Sequence, residues 1–131
     1  IYVIGLYLPY QSSSADQIIY DNVPKRLQST FIFPSVSREQ LQDSLTENLE
    51  RNPRISSETQ QQMLRCKEWM EDLDAGDEII FDYVPEYGTS VHIKGQLKGT
   101  IPGEEFMQAI LYIYLGPNAS YPPLRDNLLG K

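Results

Sequence analysis

The chain has very little of the two residue types that most often build metal sites and covalent cross-links. It contains one cysteine, Cys66, and one histidine, His92, among 131 residues. A single cysteine excludes a disulfide within the chain and any metal site built from several cysteines. With only one histidine as well, a transition-metal site would have to be built from carboxylates. We therefore predict no metal and no other cofactor.

The sequence also lacks long apolar runs and an excess of positive charge. No apolar stretch approaches the length needed to cross a bilayer, so we expect no transmembrane segment. The formal net charge is −7, whereas nucleic-acid binding depends on clustered Lys and Arg. We predict that nucleic acid is not a partner. The sequence leaves the oligomeric state open.

The overall composition of the chain is typical of a globular protein. Apolar residues make up 40% of the chain and charged residues 22%, and a chain of this length can bury enough surface to fold as one domain. The sequence begins inside a strand-like run rather than at Met. We therefore expect residues 1–131 to form a single domain, and we expect residues of the native protein to precede Ile1.

Periodicity predicts the secondary structure. A continuous apolar and aromatic run predicts a well-buried strand over residues 1–9, and apolar residues at a spacing of two predict strands over residues 26–33, 78–84, 89–94 and 96–101. Spacings of three and four, together with capping residues, predict helices over residues 14–20, 37–52, 57–73, 106–115 and 123–129. This order of strands, helices, hairpin strands and a helix favours an α+β fold, with an antiparallel sheet and a layer of helices on one face.

The glycine-rich stretch VHIKGQLKGTIPG, residues 91–103, has the composition of a phosphate-binding loop but not its spacing. Such a loop needs Lys and Ser or Thr at fixed offsets from its glycines, between a strand and a helix. Here the pattern is that of two strands joined at a turn at Lys94-Gly95, after an earlier turn at residues 85–88. The glycines are predicted to have a structural role rather than to bind phosphate.

The isolated polar and nucleophilic residues are predicted to be structural. His92 shares a strand face with Ser90 and is expected to be solvated. Asp82 lies in the middle of a strand, where it is either exposed at an edge or paired. Cys66 lies on the apolar side of a helix, where a cysteine usually acts as an inert, small apolar residue.

Three segments, taken together in their order and spacing, resemble the bacterial chalcone isomerase-like family. They are IYVIGLYLP, GDEIIFDYVPEYGTSVHIKGQLKGTIPG, and FMQAILYIYLG followed by LRDNLLG. The similarity extends more distantly to plant chalcone isomerases and to their fatty-acid-binding relatives. It implies an antiparallel sheet that carries a layer of helices, with a ligand cleft between the two.

The resemblance also implies positions for the cleft residues. In the plant enzymes an arginine, a threonine, a tyrosine, an asparagine and a serine or threonine line the cleft. The asparagine is matched by Asn48, the one residue that fits the family pattern. The threonine, the tyrosine and the serine or threonine of the late helix fall at Tyr2, Leu41 and Ile113. The arginine belongs to a strand upstream of Ile1, so the resemblance implies that the domain of residues 1–131 lacks one or more N-terminal strands.

These substitutions argue against chalcone cyclisation. Positioned donors that polarise a substrate oxygen can contribute about two to three powers of ten in rate, and Leu41 and Ile113 carry no hydroxyl. A relined cleft would instead be apolar and would suit an acyl chain. The ligand-binding residues implied in this way are Tyr2, Leu41, Leu45, Asn48 and Ile113.

The leading hypothesis is a non-catalytic protein that binds a fatty acid or another hydrophobic small molecule. One alternative is an isomerase or intramolecular lyase of unknown substrate, and another is an interaction module with a closed core. By resemblance, we expect a bacterial protein that is exported to the periplasm, with a cytoplasmic location as the alternative.

Overall fold

A computed structural model gives the architecture and describes residues 2–32, 35–52, 55–117, 119 and 122–131. Strands and helices follow one another in the order β1 (Tyr2–Tyr7), α1 (Ala15–Tyr20), β2 (Lys25–Phe31), α2 (Arg38–Glu50), α3 (Ser57–Trp69), β3 (Glu78–Val84), β4 (Gly88–Ile93), β5 (Gln96–Ile101), α4 (Glu105–Leu115) and α5 (Pro122–Leu128). Phe33, the last core-facing residue of the strand predicted over 26–33, lies outside the described residues.

The five strands form one antiparallel sheet in the order β1-β2-β3-β4-β5. Each strand pairs with the next strand in the chain; β3, β4 and β5 follow one another directly, whereas α1 lies between β1 and β2, and α2 and α3 lie between β2 and β3. The turn between β4 and β5 has positive φ at both Lys94 (55°) and Gly95 (77°), as expected for a two-residue hairpin turn. The predicted turn at Lys94-Gly95 is confirmed, and the glycine-rich stretch is part of the sheet rather than a phosphate loop.

The core lies between one face of the sheet and the helices. Alternate residues of β2, β3 and β4 are buried against it, namely Leu27, Ser29, Phe31, Ile79, Phe81, Tyr83, Thr89, Val91 and Ile93. Six residues of α4 are buried as well, which confirms the prediction that this almost wholly apolar segment is central. None of the described helices is both long enough and apolar enough to cross a bilayer. The antiparallel sheet with helices on one face confirms the predicted fold class.

The first strand differs from its prediction. In the described sheet β1 lies at an edge, and the side chains of Val3 and Tyr7 are 58% and 57% exposed. Only the other face of the strand, with Ile4 and Leu6, packs against the core. The prediction that this strand is well buried is wrong, because the core covers only one of its faces and, among the described strands, it pairs with β2 alone.

Helix α3 ends earlier than predicted. Met70 is its C-cap, with extended backbone angles, and the chain then forms an isolated bridge between Leu73 and Val36. In that bridge the N–H groups of Leu73 and Val36 each donate to the other residue's carbonyl oxygen, at 2.8 Å. Met70 and Leu73 are buried, as their apolar spacing suggested. The prediction of a helix as far as residue 73 is wrong because tertiary hydrogen bonds replace the last helical turn.

Cys66 is expected to be unreactive while the protein is folded. Its side chain is fully buried, and burial raises the pKa of the thiol to about 12. Because the thiolate is the reactive species, modification by a disulfide reagent at neutral pH should be roughly a thousandfold slower than in an unfolded chain. The measurement is the rate of thiol modification in native buffer and in urea. Comparable rates under the two conditions would contradict the buried placement.

Candidate functional site

A mostly apolar cavity lies beneath α2, between that helix, α4 and strands β1 to β3. Its volume is about 300 Å³, at the lower end of the range of about 300–1,000 Å³ that is usual for ligand sites. The lining combines apolar side chains with a few hydroxyl and amide groups. The lining residues are Tyr2, Ser29, Phe31, Val36, Gln40, Leu41, Ser44, Leu45, Asn48, Met70, Ile79, Phe81, Ile113 and Tyr114.

All five residues that were predicted to bind a ligand lie on the wall of this cavity. They come from three separate elements: Tyr2 belongs to β1, Leu41, Leu45 and Asn48 belong to α2, and Ile113 belongs to α4. The structure therefore brings together positions that are up to 111 residues apart in the chain (113 − 2). That these side chains contact a ligand stays a prediction.

Helix α2 forms the wall of the cavity on the side away from the sheet. Its start is fixed by a capping box, in which the Ser37 N–H donates to Gln40 Oε1 (2.9 Å) and the Gln40 N–H donates to Ser37 Oγ (3.1 Å). Leu41, Leu45 and Asn48 then fall on one side of the helix, three or four residues apart. No residue of α2 is fully buried. The leucines of the helix pack only partly against the core, and Leu41 and Leu45 also line the cavity.

Polar contacts hold α2 to the segment that follows α3 and to α3 itself. The Arg38 guanidinium donates to the carbonyl oxygens of Met70 (2.9 Å) and Glu68 (3.3 Å). One turn later, Gln42 Nε2 donates to the carbonyl oxygen of Lys67 (3.0 Å), and Lys67 Nζ donates to Thr46 Oγ1 (2.7 Å). These bonds set the position of the wall over the cavity.

Arg38→Ala is expected to loosen α2 over the cavity. The variant loses two charge-assisted hydrogen bonds, and a typical hydrogen bond contributes about 1 kcal/mol. Amide hydrogen exchange over residues 38–50 should therefore become about five- to thirtyfold faster, which corresponds to the loss of one or two such bonds. The control is Arg51→Ala, which removes an exposed arginine at the C-terminal end of the same helix. Equal exchange rates in the two variants would show that Arg38 does not anchor the helix.

Three hydroxyl groups converge at the corner of the cavity formed by β1, β2 and α4. Ser29 occupies a core-facing position of β2 and is only 6% exposed. Tyr2 packs against Phe31, with ring centroids 5.7 Å apart, and Tyr114 enters from α4. Burial raises the pKa of Tyr114 and the charge of an ionised Tyr2 raises it further, whereas a hydrogen bond with Ser29 opposes the increase. Burial also raises the pKa of Tyr2, so both phenols are protonated donors at neutral pH.

Sequence reasoning missed Ser29 and Tyr114. A signal was present in both cases: a serine stands on a strand face otherwise formed by Leu27 and Phe31, and a tyrosine lies within an almost wholly apolar helix. Leu41 and Ile113 bring no hydroxyl to the cavity, as the resemblance implied. Ser29 and Tyr114 supply hydroxyls from neighbouring positions instead.

Asn48, the residue that matches the family pattern, uses its amide nitrogen within its own helix. Nδ2 donates to the Ser44 carbonyl oxygen at 2.8 Å and lies 3.4 Å from Ser44 Oγ. In the described part of the chain, no acidic or basic side chain lines the cavity. The described lining can therefore orient a polar group by hydrogen bonds, but it offers no carboxylate or amine for proton transfer.

The other candidate residues lie away from the cavity. Asp82 forms an ion pair with Arg26 (2.9 Å) on the face of the sheet that the helices leave open. His92 lies on the same face and is half-buried rather than fully solvated, because Ile80 and Leu97 flank it on the adjacent strands. Among the described residues, no group of three or more His, Cys, Asp or Glu could hold a metal ion.

Comparisons with known proteins agree with the fold. A fatty-acid binding protein from Arabidopsis thaliana has a crystal structure that superposes on the chain with a TM-score of 0.73 and 15% sequence identity. The match covers 98% of this chain and 76% of that chain, and at this identity it shows a shared fold. No curated protein sequence is detectably similar to the chain. A family model described as chalcone isomerase-like matches residues 1–130, and the chain therefore belongs to the chalcone isomerase-like family.

Proposed function

We propose that the protein binds a hydrophobic small molecule, a fatty acid or a similar amphiphile, in the cavity beneath α2 and does not convert it chemically. The observation that carries this proposal is an unfilled, mostly apolar cavity with a few hydroxyl groups at one corner. Ligand sites commonly have this composition, since the apolar walls supply affinity and the few polar groups set orientation. The fold shared with a fatty-acid binding protein supports the proposal.

The volume of the cavity indicates the size of the ligand. At about 30 Å³ per heavy atom, the share that water takes in the liquid, 300 Å³ accommodates roughly ten heavy atoms. A medium-length chain of about ten carbons therefore fits. Burial contributes about 0.8 kcal/mol per methylene, and part of that is lost to the entropy of association. We expect dissociation constants of about 1–100 μM, equivalent to about 5.5–8 kcal/mol.

Several observations favour binding over catalysis by these residues. An isomerase or intramolecular lyase needs a positioned acid or base whose pKa lies near the working pH. The phenols of Tyr2 and Tyr114 have raised pKa values, so at neutral pH they are poor bases. The Asn48 amide nitrogen is already bonded to Ser44.

The test is a competition experiment with an uncharged fluorescent probe, N-phenyl-1-naphthylamine, whose naphthalene ring system of ten carbons matches the size of the cavity. We expect a saturable increase in fluorescence when the probe binds the folded protein, and displacement of the probe by ten-carbon amphiphiles. Chains of four carbons should displace it far less, because they bury less apolar surface. A linear, non-saturable response, or displacement independent of chain length, would refute binding in a defined cavity.

A further inference from the structure

We infer that Met70 determines the length of the hydrocarbon chain that the cavity accepts. This inference rests on the proposed function and assigns a specificity-determining residue to the same site. It concerns the tail of the ligand and holds for any head group. The part of the lining that bears on it is the inner wall, which consists of the five buried lining residues Ser29, Phe31, Met70, Ile79 and Phe81.

The first argument is the difference in polarity between the two sides of the cavity. The helix α2 contributes the polar side chains of Gln40, Ser44 and Asn48 to the lining. The inner wall is apolar apart from Ser29, and its residues belong to the hydrophobic core. A hydrocarbon tail gains most where it lies against apolar surface that is shielded from water. The end of the tail therefore lies at the inner wall, and the inner wall limits its length.

The second argument is that the larger strand residues of the inner wall are fixed by their neighbours. The ring of Phe31 packs against Tyr2, with centroids 5.7 Å apart, and the ring of Phe81 packs against Phe106, with centroids 6.3 Å apart. Ile79 is β-branched, which restricts its rotamers, and it lies on β3 between the paired strands β2 and β4. These side chains give the inner wall a constant shape.

The third argument is that Met70 combines a fixed backbone with an adaptable side chain. It is the C-cap of α3, where its N–H donates to the Lys67 carbonyl oxygen (3.2 Å) and its own carbonyl oxygen accepts from Arg38 Nε (2.9 Å). Its side chain is unbranched and flexible, and the residue is only 3% exposed. Because a shortened side chain at a buried position leaves a cavity, the space freed at Met70 adds to the ligand site.

The experiment measures the affinity of the whole chain for sodium alkanoates of about eight to fourteen carbons, by competition against N-phenyl-1-naphthylamine. In the wild type we expect affinity to rise about fourfold per methylene up to about ten carbons and then to level off. Met70→Ala removes Cγ, Sδ and Cε, so the rise should continue to about thirteen carbons, and tridecanoate should bind about ten- to sixtyfold more tightly than in the wild type. Levelling at the same length in both proteins, or a wild-type affinity that still rises at fourteen carbons, would overturn the inference. Failure of every alkanoate to bind the wild type would instead refute the proposed function.

The matched control is Met63→Ala, which removes the same atoms from another buried methionine. Met63 lies within α3 and is absent from the described lining of the cavity, so affinity should still level off at about ten carbons. An equal shift in Met63→Ala would overturn the assignment to Met70. Met70→Val is a milder truncation that keeps the test decisive if Met70→Ala does not fold. Its affinity should level off at about eleven to twelve carbons, and a wild-type profile in a folded Met70→Val would also overturn the inference.

Discussion

Leu41→Trp is expected to lower the affinity for a ten-carbon amphiphile about ten- to sixtyfold. Leu41 is half-buried on α2 and points into the cavity, so a larger side chain occupies the space of roughly two to three ligand carbons. At about 0.8 kcal/mol per methylene, this corresponds to about 1.6–2.4 kcal/mol of binding free energy. Ile113→Trp should have a similar effect from the opposite wall. The measurement is competition against the fluorescent probe.

The matched control for these two variants is Glu47→Trp. Glu47 lies on α2, as Leu41 does, but it is exposed and does not line the cavity. The control therefore adds the same aromatic side chain to the same helix without filling the site. Affinity in Glu47→Trp should equal that of the wild type. If Leu41→Trp and Ile113→Trp also kept wild-type affinity while remaining folded, the ligand would have to bind elsewhere.

Gly88→Ala is expected to lower the free energy of unfolding by about 2–5 kcal/mol. Gly88 begins β4 with φ at +100°, a backbone conformation that costs an L-residue about 1–2 kcal/mol. An added Cβ would also lie 2.1 Å from the Ile101 carbonyl oxygen and 2.8 Å from Pro102 Cα. Because both are backbone atoms, relief requires β4 and β5 to move apart, with an overpacking cost of about 1–3 kcal/mol. Unfolding in urea, followed by circular dichroism, measures the change.

Gly95→Ala separates the two causes of that loss. Gly95 also has positive φ, at +77°, but no atom lies within 4 Å of an added Cβ. The expected loss is therefore only the conformational part, about 1–2 kcal/mol. Equal losses in Gly88→Ala and Gly95→Ala would show that the close approach to Ile101 has no energetic consequence.

The elements of the fold could be predicted from local patterns, because those patterns reflect local physics. The capping box at Ser37 and the turn residues Lys94-Gly95 appear in the structure where the sequence placed them. The errors arose where a distant contact decides the outcome. Helix α3 ends early because Leu73 bonds to Val36, and one face of β1 is exposed because the helices cover only the other face of the described sheet.

The candidate site was only partly accessible from the sequence. The resemblance supplied Tyr2, Leu41 and Ile113, whereas Ser29 and Tyr114 emerged only when β2 and α4 were brought together. A hydroxyl on a core-facing position can satisfy the backbone or line a cavity, and only tertiary structure distinguishes the two. The bacterial origin, the export and the missing N-terminal strand stay predictions.

Native mass spectrometry of the gently purified protein tests the central claim most directly. The claim predicts a species with a bound amphiphile of medium chain length, either retained from the source or acquired on incubation with 1-decanol. The added mass should disappear in a denatured sample and be strongly reduced in Leu41→Trp, but not in Glu47→Trp. A spectrum with only the mass of the bare chain after incubation with 1-decanol, methyl decanoate and decanoate would contradict it.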